Sequence, residues 1–276
     1  MKLQYLGTAA AEGTPAIFCQ CSTCQKARRL GGRNIRTRAQ ALVDGRILLD
    51  FGLDTYLHAL HFGLDLASIH TCLVTHTHTD HLIAEELEFR EPWMCHLQQE
   101  DSLYIYGSAE TGEYLQAKAD GRILDSERSL FREVRPFEPF EAEGYRITPL
   151  PAVHGTRQPL VYVIERDGTS MLYAHDTSFF REDTWRYMTE QGMHFQLVSL
   201  DCTEGIRKID YSGHMNIERD VEMRDYMRSL GLIDEGTRVI ANHFSHNGGV
   251  TYEELLHPDV NRGLEIAYDG MTVEFG

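Results

Sequence analysis

No apolar run in the chain approaches the roughly 20 residues needed to cross a bilayer as a helix, so a membrane-embedded protein is not expected. Residues 1–7 are too short for the apolar core of a secretory leader and read as a first strand, which makes the cytoplasm the expected location. Basic residues are scarce as well. Against 42 Asp+Glu there are 26 Lys+Arg, a formal net charge of −16, and no lysine- or arginine-rich block offers a local exception. So acidic a body repels polyanions, which excludes long nucleic acid as a partner but leaves room for a small anion in a cation-lined pocket. Repeats, linkers and low-complexity tracts are missing too. A homodimer is compatible with such a composition.

Short apolar strands recur from end to end, at about residues 41–43, 46–50, 71–74, 102–106, 145–148, 160–164, 170–174, 195–200, 237–241 and 271–275. Asp44-Gly45 and Asp167-Gly168 fall between strand pairs as hairpin turns. Helical patterns cover Asp54 to His61, Ala109 to Ala119, Thr177 to Gln191, Ile217 to Leu230 and Tyr252 to Leu256. Thr177-Ser178 and Asn216 supply N-cap candidates for the third and fourth of these. Phe179-Phe180, Trp185 and Met188 read as the core stripe of the third helix. Strands separated by helices, without interruption, imply packed sheets covered by helices.

The chemistry concentrates in Thr75-His76-Thr77-His78-Thr79-Asp80-His81, directly after the apolar run Thr71-Cys72-Leu73-Val74. A loop leaving a buried strand aims alternate side chains at one point. His76 and His78 then share a direction, and Asp80 and His81 a neighbouring one. Further ligands are needed, and other strand ends supply them: His154 after residues 145–148, Asp176 after 170–174, His243 after 237–241. His76, His78 and His154 would hold one ion, Asp80, His81 and His243 a second, with Asp176 bridging them. Such imidazole and carboxylate sets suit zinc, iron or manganese. By contrast, His58 and His61 have helical spacing without a nearby acid and read as packed or solvated, as do His70, His96, His194 and His257. His175 should point away from Asp176, its neighbour on the strand.

Three of the six cysteines form the cluster Cys19-Gln20-Cys21-Ser22-Thr23-Cys24. Disulfide pairing is conceivable for them, but thiolates this close are stabilised by a cation, and a closed zinc tetrahedron needs a fourth ligand. His246 is the choice, because it lies too near His243 to face the same ion. A structural zinc loop at about residues 13–38 would then be stapled to the strand end that carries His243.

In order and spacing these motifs resemble the metallo-β-lactamase superfamily over almost the whole chain. The resemblance implies a single domain over residues 1–276, an α/β protein of the αβ/βα sandwich type. Two mixed β-sheets would pack face to face with helices outside and the site along one edge. Asp50, closing Leu48-Leu49-Asp50, matches an acid that supports the metal loop by hydrogen bonds, although capping the helix that follows is an equal alternative. The cysteine cluster, with Gly7-Thr8 and Gly13-Thr14-Pro15, is similar to the branch holding the phosphodiesterase of the carbon–phosphorus lyase pathway. By that resemblance His214, in Tyr211-Ser212-Gly213-His214, contacts the substrate phosphate or protonates the leaving oxygen, and joins Asp80 as a candidate catalytic residue. The implied reaction is hydrolysis of a small or cyclic phosphodiester by a hydroxide bridging two metal ions. Arg36-Thr37-Arg38 runs into Ala39-Gln40 where the branch carries a serine, and residues 85–91 are unusually acidic, so the particular sugar phosphate stays open. Two alternatives stay open with it: an oxidoreductase of the pyrroloquinoline quinone pathway type, and ribonuclease Z-like RNA processing.

Overall fold

The computed structural model describes residues 1–98, 101–118, 124, 127–208 and 212–276. Its strands form two sheets of seven. The first contains β1 (Lys2–Gly7), β2 (Gln40–Val43), β3 (Ile47–Leu49), β4 (Thr71–Leu73), β5 (Leu103–Gly107), β6 (Ser129–Glu133) and, at the far end of the chain, β14 (Thr272–Glu274). Its spatial order is β14-β1-β2-β3-β4-β5-β6. The second contains β7 (Phe140–Ala142), β8 (Tyr145–Pro151), β9 (Leu160–Arg166), β10 (Thr169–Ala174), β11 (Leu197–Asp201), β12 (Arg238–Asn242) and β13 (Glu265–Ile266), ordered β13 through β7. Both sheets are mixed. The β3-β4-β5-β6 and β10-β11-β12-β13 ladders are parallel, and the remaining pairs are antiparallel.

The strands are apolar on both faces because both faces are covered, and the two-residue period sorts each side chain to its layer. Ala41, Val43, Ile47, Leu49 and Leu73 meet Ile147, Tyr162, Ile164, Met171 and Tyr173 between the sheets. Leu42, Leu48 and Cys72, one residue out of step, pack outward with Leu87 of helix α3 (Ala84–Leu87) and Leu115 of α4 (Ala109–Ala117). On the other side Val161, Val163, Leu172 and Ala174 pack with Trp185 and Met188 of α5 (Glu182–Glu190) and with Met223 and Met227 of α6 (Ile217–Ser229). Burying a Leu, Ile, Val or Met is worth roughly 1.5–3 kcal/mol relative to leaving it exposed, so these three apolar layers hold the sandwich together.

The remaining helices are α1 (Ser22–Leu30), α2 (Thr55–Phe62), α7 (Tyr252–Leu255) and α8 (Pro258–Asn261). Both hairpin turns form where expected, with positive φ at Asp44, Gly45, Asp167 and Gly168. Asn216 caps α6 by accepting from Arg219 N. Two expectations are corrected. Helix α5 starts at Glu182 rather than Thr177, because residues 177–178 bond to another loop: Val153 N donates to Thr177 Oγ1 and Ser178 N to Val153 O. Phe179 and Phe180 therefore pack ahead of the helix instead of along it. Ala119 and Tyr211 lie outside the described residues. No helix among the described residues is long and apolar enough to cross a membrane.

Candidate metal centre

Strands β3, β4, β8, β10, β11 and β12 deliver their carboxyl ends to one edge of the sandwich, and a polar residue follows or closes each. Asp50 follows β3, the 75–81 loop follows β4, and His154 lies just past β8. Asp176 follows β10, Asp201 closes β11, and His243 follows β12. Three of these residues hold left-handed backbone, with φ of 69° at Asp50, 49° at Asp176 and 62° at His243. Non-glycine residues rarely adopt it, and such strain persists only where the surroundings over-determine it.

The expected sets assemble. Nε2 of His76 and Nε2 of His154 lie 2.9 Å and 3.2 Å from Nδ1 of His78. His81 Nε2 lies 3.1 Å from Asp80 Oδ2, and His243 Nε2 lies 3.8 Å from it, so Asp80, His81 and His243 form the second group. Asp176 stands between the groups. Its Oδ1 is 3.3 Å from His154 Nε2, and its Oδ2 is 2.8 Å from His81 Nε2 and 2.9 Å from His243 Nε2.

The outer ring nitrogens of His76, His81, His154 and His243 are held from behind. His81 Nδ1 lies 2.7 Å from Asp50 Oδ2, and Thr75 N and Oγ1 also donate to that carboxylate. His76 Nδ1 meets Thr75 Oγ1 at 3.0 Å, His154 Nδ1 meets Gly213 O at 3.0 Å, and His243 Nδ1 meets Thr203 Oγ1 at 2.8 Å. These partners turn the inner nitrogens toward a common space. Asp50 is therefore a support of the metal loop and not a helix cap. The N-cap of α2 is Asp54, which makes no side-chain capping bond.

Whether the residues fit cations is answered by His81 Nε2, His243 Nε2 and Asp176 Oδ2. All three are buried, and among the described residues none has a hydrogen-bond partner, although the carboxylate oxygen lies only 2.8 Å and 2.9 Å from the two nitrogens. The two nitrogens and the oxygen converge on one buried space, as donor atoms around a cation do. Electrostatics agree. Burial alone would depress His243, yet Asp176 holds it up to about 10, and Asp80, Asp176 and Asp50 likewise hold His81 well above the usual range. Burial would raise Asp176, but His243 and His81 hold it well below.

His214 stands beside this centre, its ring centroid 4.9 Å from that of His154. Its Nδ1 lies 3.0 Å from Asp201 Oδ2. Asp201 is the residue the sequence reading missed. Fully buried, it also accepts from Asp176 N, Thr203 N, Thr203 Oγ1 and Met215 N, and so ties the bridging acid to the loop of His214. Its one sequence signal is an acid closing an apolar strand, as Asp50 is. His175 sits beneath the centre, as expected of the opposite strand face, with Nε2 bonded to Ser199 Oγ at 2.7 Å.

Cys19, Cys21, Cys24 and His246 also come together. His246 Nδ1 lies 3.6 Å from Cys19 Sγ and 3.4 Å from Cys21 Sγ. Cys21 N donates to Cys19 Sγ, Cys24 N to Cys21 Sγ and Ala16 N to Cys24 Sγ. Burial would raise Cys21, but the Cys24 amide and His246 bring it down to about 6, whereas burial pushes Cys24 up to about 12. Cys21 also caps α1, a helix hidden from the sequence reading by the metal motif that opens it.

A family model described as the beta-lactamase superfamily domain matches residues 45–244. No curated protein matches. Among solved structures, a diphosphatase from the PhnP family is 21% identical with a TM-score of 0.73, covering 99% of this chain and 96% of its own. Zinc-bound PqqB from Methylobacterium extorquens is 20% identical with a TM-score of 0.76, covering 99% and 100%. Human tRNase Z, short form, is 17% identical with a TM-score of 0.65, covering the whole of both chains. With the family model spanning most of the chain and the two-sheet architecture in place, the chain belongs to the metallo-β-lactamase superfamily.

Proposed function

We propose that the protein is a metal-dependent hydrolase of small or cyclic phosphodiesters, with two cations in its active site and a third, structural one. The observation that carries this reading is the division of seven ligand-type side chains into two groups sharing Asp176. His76, His78 and His154 would hold one ion and Asp80, His81 and His243 the other, with Asp176 within reach of both groups. Zinc, manganese or iron suits this donor set, and zinc suits Cys19, Cys21, Cys24 and His246. When bound, paired cations supply Lewis acidity and activate water.

The chain's own residues supply the rest. His214, anchored by Asp201, is placed to give a proton to the departing oxygen. A cleft of about 790 Å³, lined by His154 and Ser212, also carries Arg135, Arg157 and Arg181. Arg157 pairs with Glu110 and Glu113, Arg135 pairs with Glu133, and Glu138 lines the same cleft, so its arginines are largely matched by acids. The attraction for a small anion therefore rests on the cations that the seven ligand-type side chains would hold. The PhnP-family diphosphatase, similar in fold, is in keeping with phosphorus–oxygen bond cleavage.

The test is turnover of bis-p-nitrophenyl phosphate, cyclic nucleotides, cyclic ribose phosphates and linear diesters with zinc, manganese and iron, with oxygen uptake followed in parallel. Diester hydrolysis that disappears on chelation is the expected result. Oxygen consumption without hydrolysis would replace this reading with an oxidoreductase.

A further inference from the structure

A buried chain of hydrogen bonds leads away from the metal loop. Nε2 of Gln40, on β2, donates to the carbonyl of Asp50 and to Thr55 Oγ1, both at 2.9 Å. Oε1 of Gln40 lies 2.6 Å from Nδ1 of His58 on α2, and His58 Nε2 lies 2.7 Å from Thr37 Oγ1. Thr37 Oγ1 also lies 2.6 Å from Asp269 Oδ2, which accepts from Thr37 N, and its one proton serves either that carboxylate or His58. Gln40, Asp50, Thr55 and His58 are all buried.

Counting protons fixes the arrangement. Both protons of the Gln40 amide are engaged, so Oε1 faces His58 and can only accept. His58 therefore carries its proton on Nδ1. Turning the amide over would set its oxygen against the Asp50 carbonyl, acceptor to acceptor. Thus the carbonyl, the amide and the ring each dictate the orientation of the next. Burial pulls His58 down to about 4, and in the neutral ring Nε2 accepts the Thr37 hydroxyl proton.

The carbonyl at the end of this chain belongs to a residue under strain. Asp50 holds left-handed backbone at φ 69°, and from there its carboxylate reaches Thr75 N and His81 Nδ1. We propose that His58 is a positioning residue. Through Gln40 it holds the Asp50 turn, and through Asp50 it aims His81 and, by way of Thr75, His76 at the metal centre. The proposal rests on the reading above, in which those histidines grip active-site cations.

The experiment titrates zinc into chelator-treated wild type, His58→Phe, Gln40→Met and the double variant, and counts bound zinc by native mass spectrometry. His61→Ala, exposed on the same helix, is the control. His58→Phe and Gln40→Met should each weaken active-site zinc about tenfold, at the lower end of what loss of an outer partner costs, while the cysteine-site zinc is retained. The double variant should be no worse than either single, because both act along one path. His61→Ala should bind as wild type does. A folded His58→Phe with wild-type affinity, or losses that add in the double variant, overturns the proposal. Should His58→Phe fail to fold, Gln40→Met decides alone, and wild-type affinity there overturns it equally. Wild type that binds zinc only at the cysteine site overturns both this role and the function it rests on.

Discussion

Oδ2 of Asp50 lies 2.7 Å from Nδ1 of His81, with both side chains fully buried. The same carboxylate takes the amide and hydroxyl of Thr75, so one residue at the end of β3 sets the tautomer of a ligand and the start of its loop. Asp50→Asn keeps the shape but leaves a single acceptor for three donors. Zinc affinity at the active site should fall 10–100-fold, and stability by about 1–3 kcal/mol for the buried donor left unmatched. Zinc titration and urea unfolding of the two proteins measure these, and unchanged affinity in the Asp50→Asn variant would deny Asp50 its supporting role.

Asp201 stands to His214 as Asp50 does to His81, a buried carboxylate behind an imidazole. His214→Ala should keep both active-site ions and lose turnover by about 10²–10⁴-fold, the usual worth of a positioned proton donor. Metal count and kcat, measured together, separate this from loss of metal. Burial would lower His214, and Asp201 overrides it and raises the ring. In Asp201→Asn the proton therefore leaves at lower pH, and the alkaline limb of the kcat profile should move toward acid. Full activity in His214→Ala removes the residue from catalysis.

The proposed ligands were legible wherever an apolar run stops at an imidazole or acid, because burial of the strand leaves its next polar residue one place to point. His76, His78, His81, Asp176 and His243 are all of this kind. Asp201 shares that signal but works by accepting five hydrogen bonds from residues 176 to 215, a convergence only the fold creates. Gln40 and His58 left no sequence signal, since their pairing joins a strand to a helix. The start of α5 was misplaced because loop contacts of Thr177 and Ser178 outweighed local helix preference. Strands β7 and β13, of three and two residues, are too short to show a period.

Protons and cations compete for His81 and His243. Both folded values are raised above the unfolded one of about 6.5. Their contribution to stability is thus fully present below about pH 6.5 and is lost as pH rises through the folded values, about 10 for His243. Protein stripped of active-site metal should therefore melt at progressively lower temperature from pH 7 to 10, while the zinc-loaded form changes less. Zinc binding at pH 8 should release protons, seen as a buffer-dependent calorimetric enthalpy. A melting temperature of the stripped protein that is flat across that window contradicts the assignment.

Cys21 both places its sulfur beside His246 and caps α1, accepting from Cys24 N. Cys21→Ser retains a capping oxygen but loses the soft ligand. Bound zinc should fall by one per chain, and the melting temperature should drop with it, while the active-site ions remain. Elemental analysis beside thermal melting checks this. An unchanged zinc count refutes the structural site.

Gly52 shows how closely the two backbones at the site approach. Phe51 N donates to His81 O, Ile83 N donates to Phe51 O, and a Cβ built on Gly52 would lie 1.7 Å from Asp80 O. The obstacle is backbone rather than the tip of a flexible side chain, so an added methyl must push the loop that carries Asp80 and His81. Gly52→Ala should cost about 1–3 kcal/mol of stability as an overpacked site, and should also empty the Asp80, His81 and His243 position. Gly155→Ala is the fitting comparison. It adjoins His154, but a Cβ there meets nothing within 4 Å, so metal content should stay at the wild-type count. If Gly52→Ala binds its full complement of metal, the loop tolerates displacement, and the fixed placement of Asp80 is not what the second ion requires.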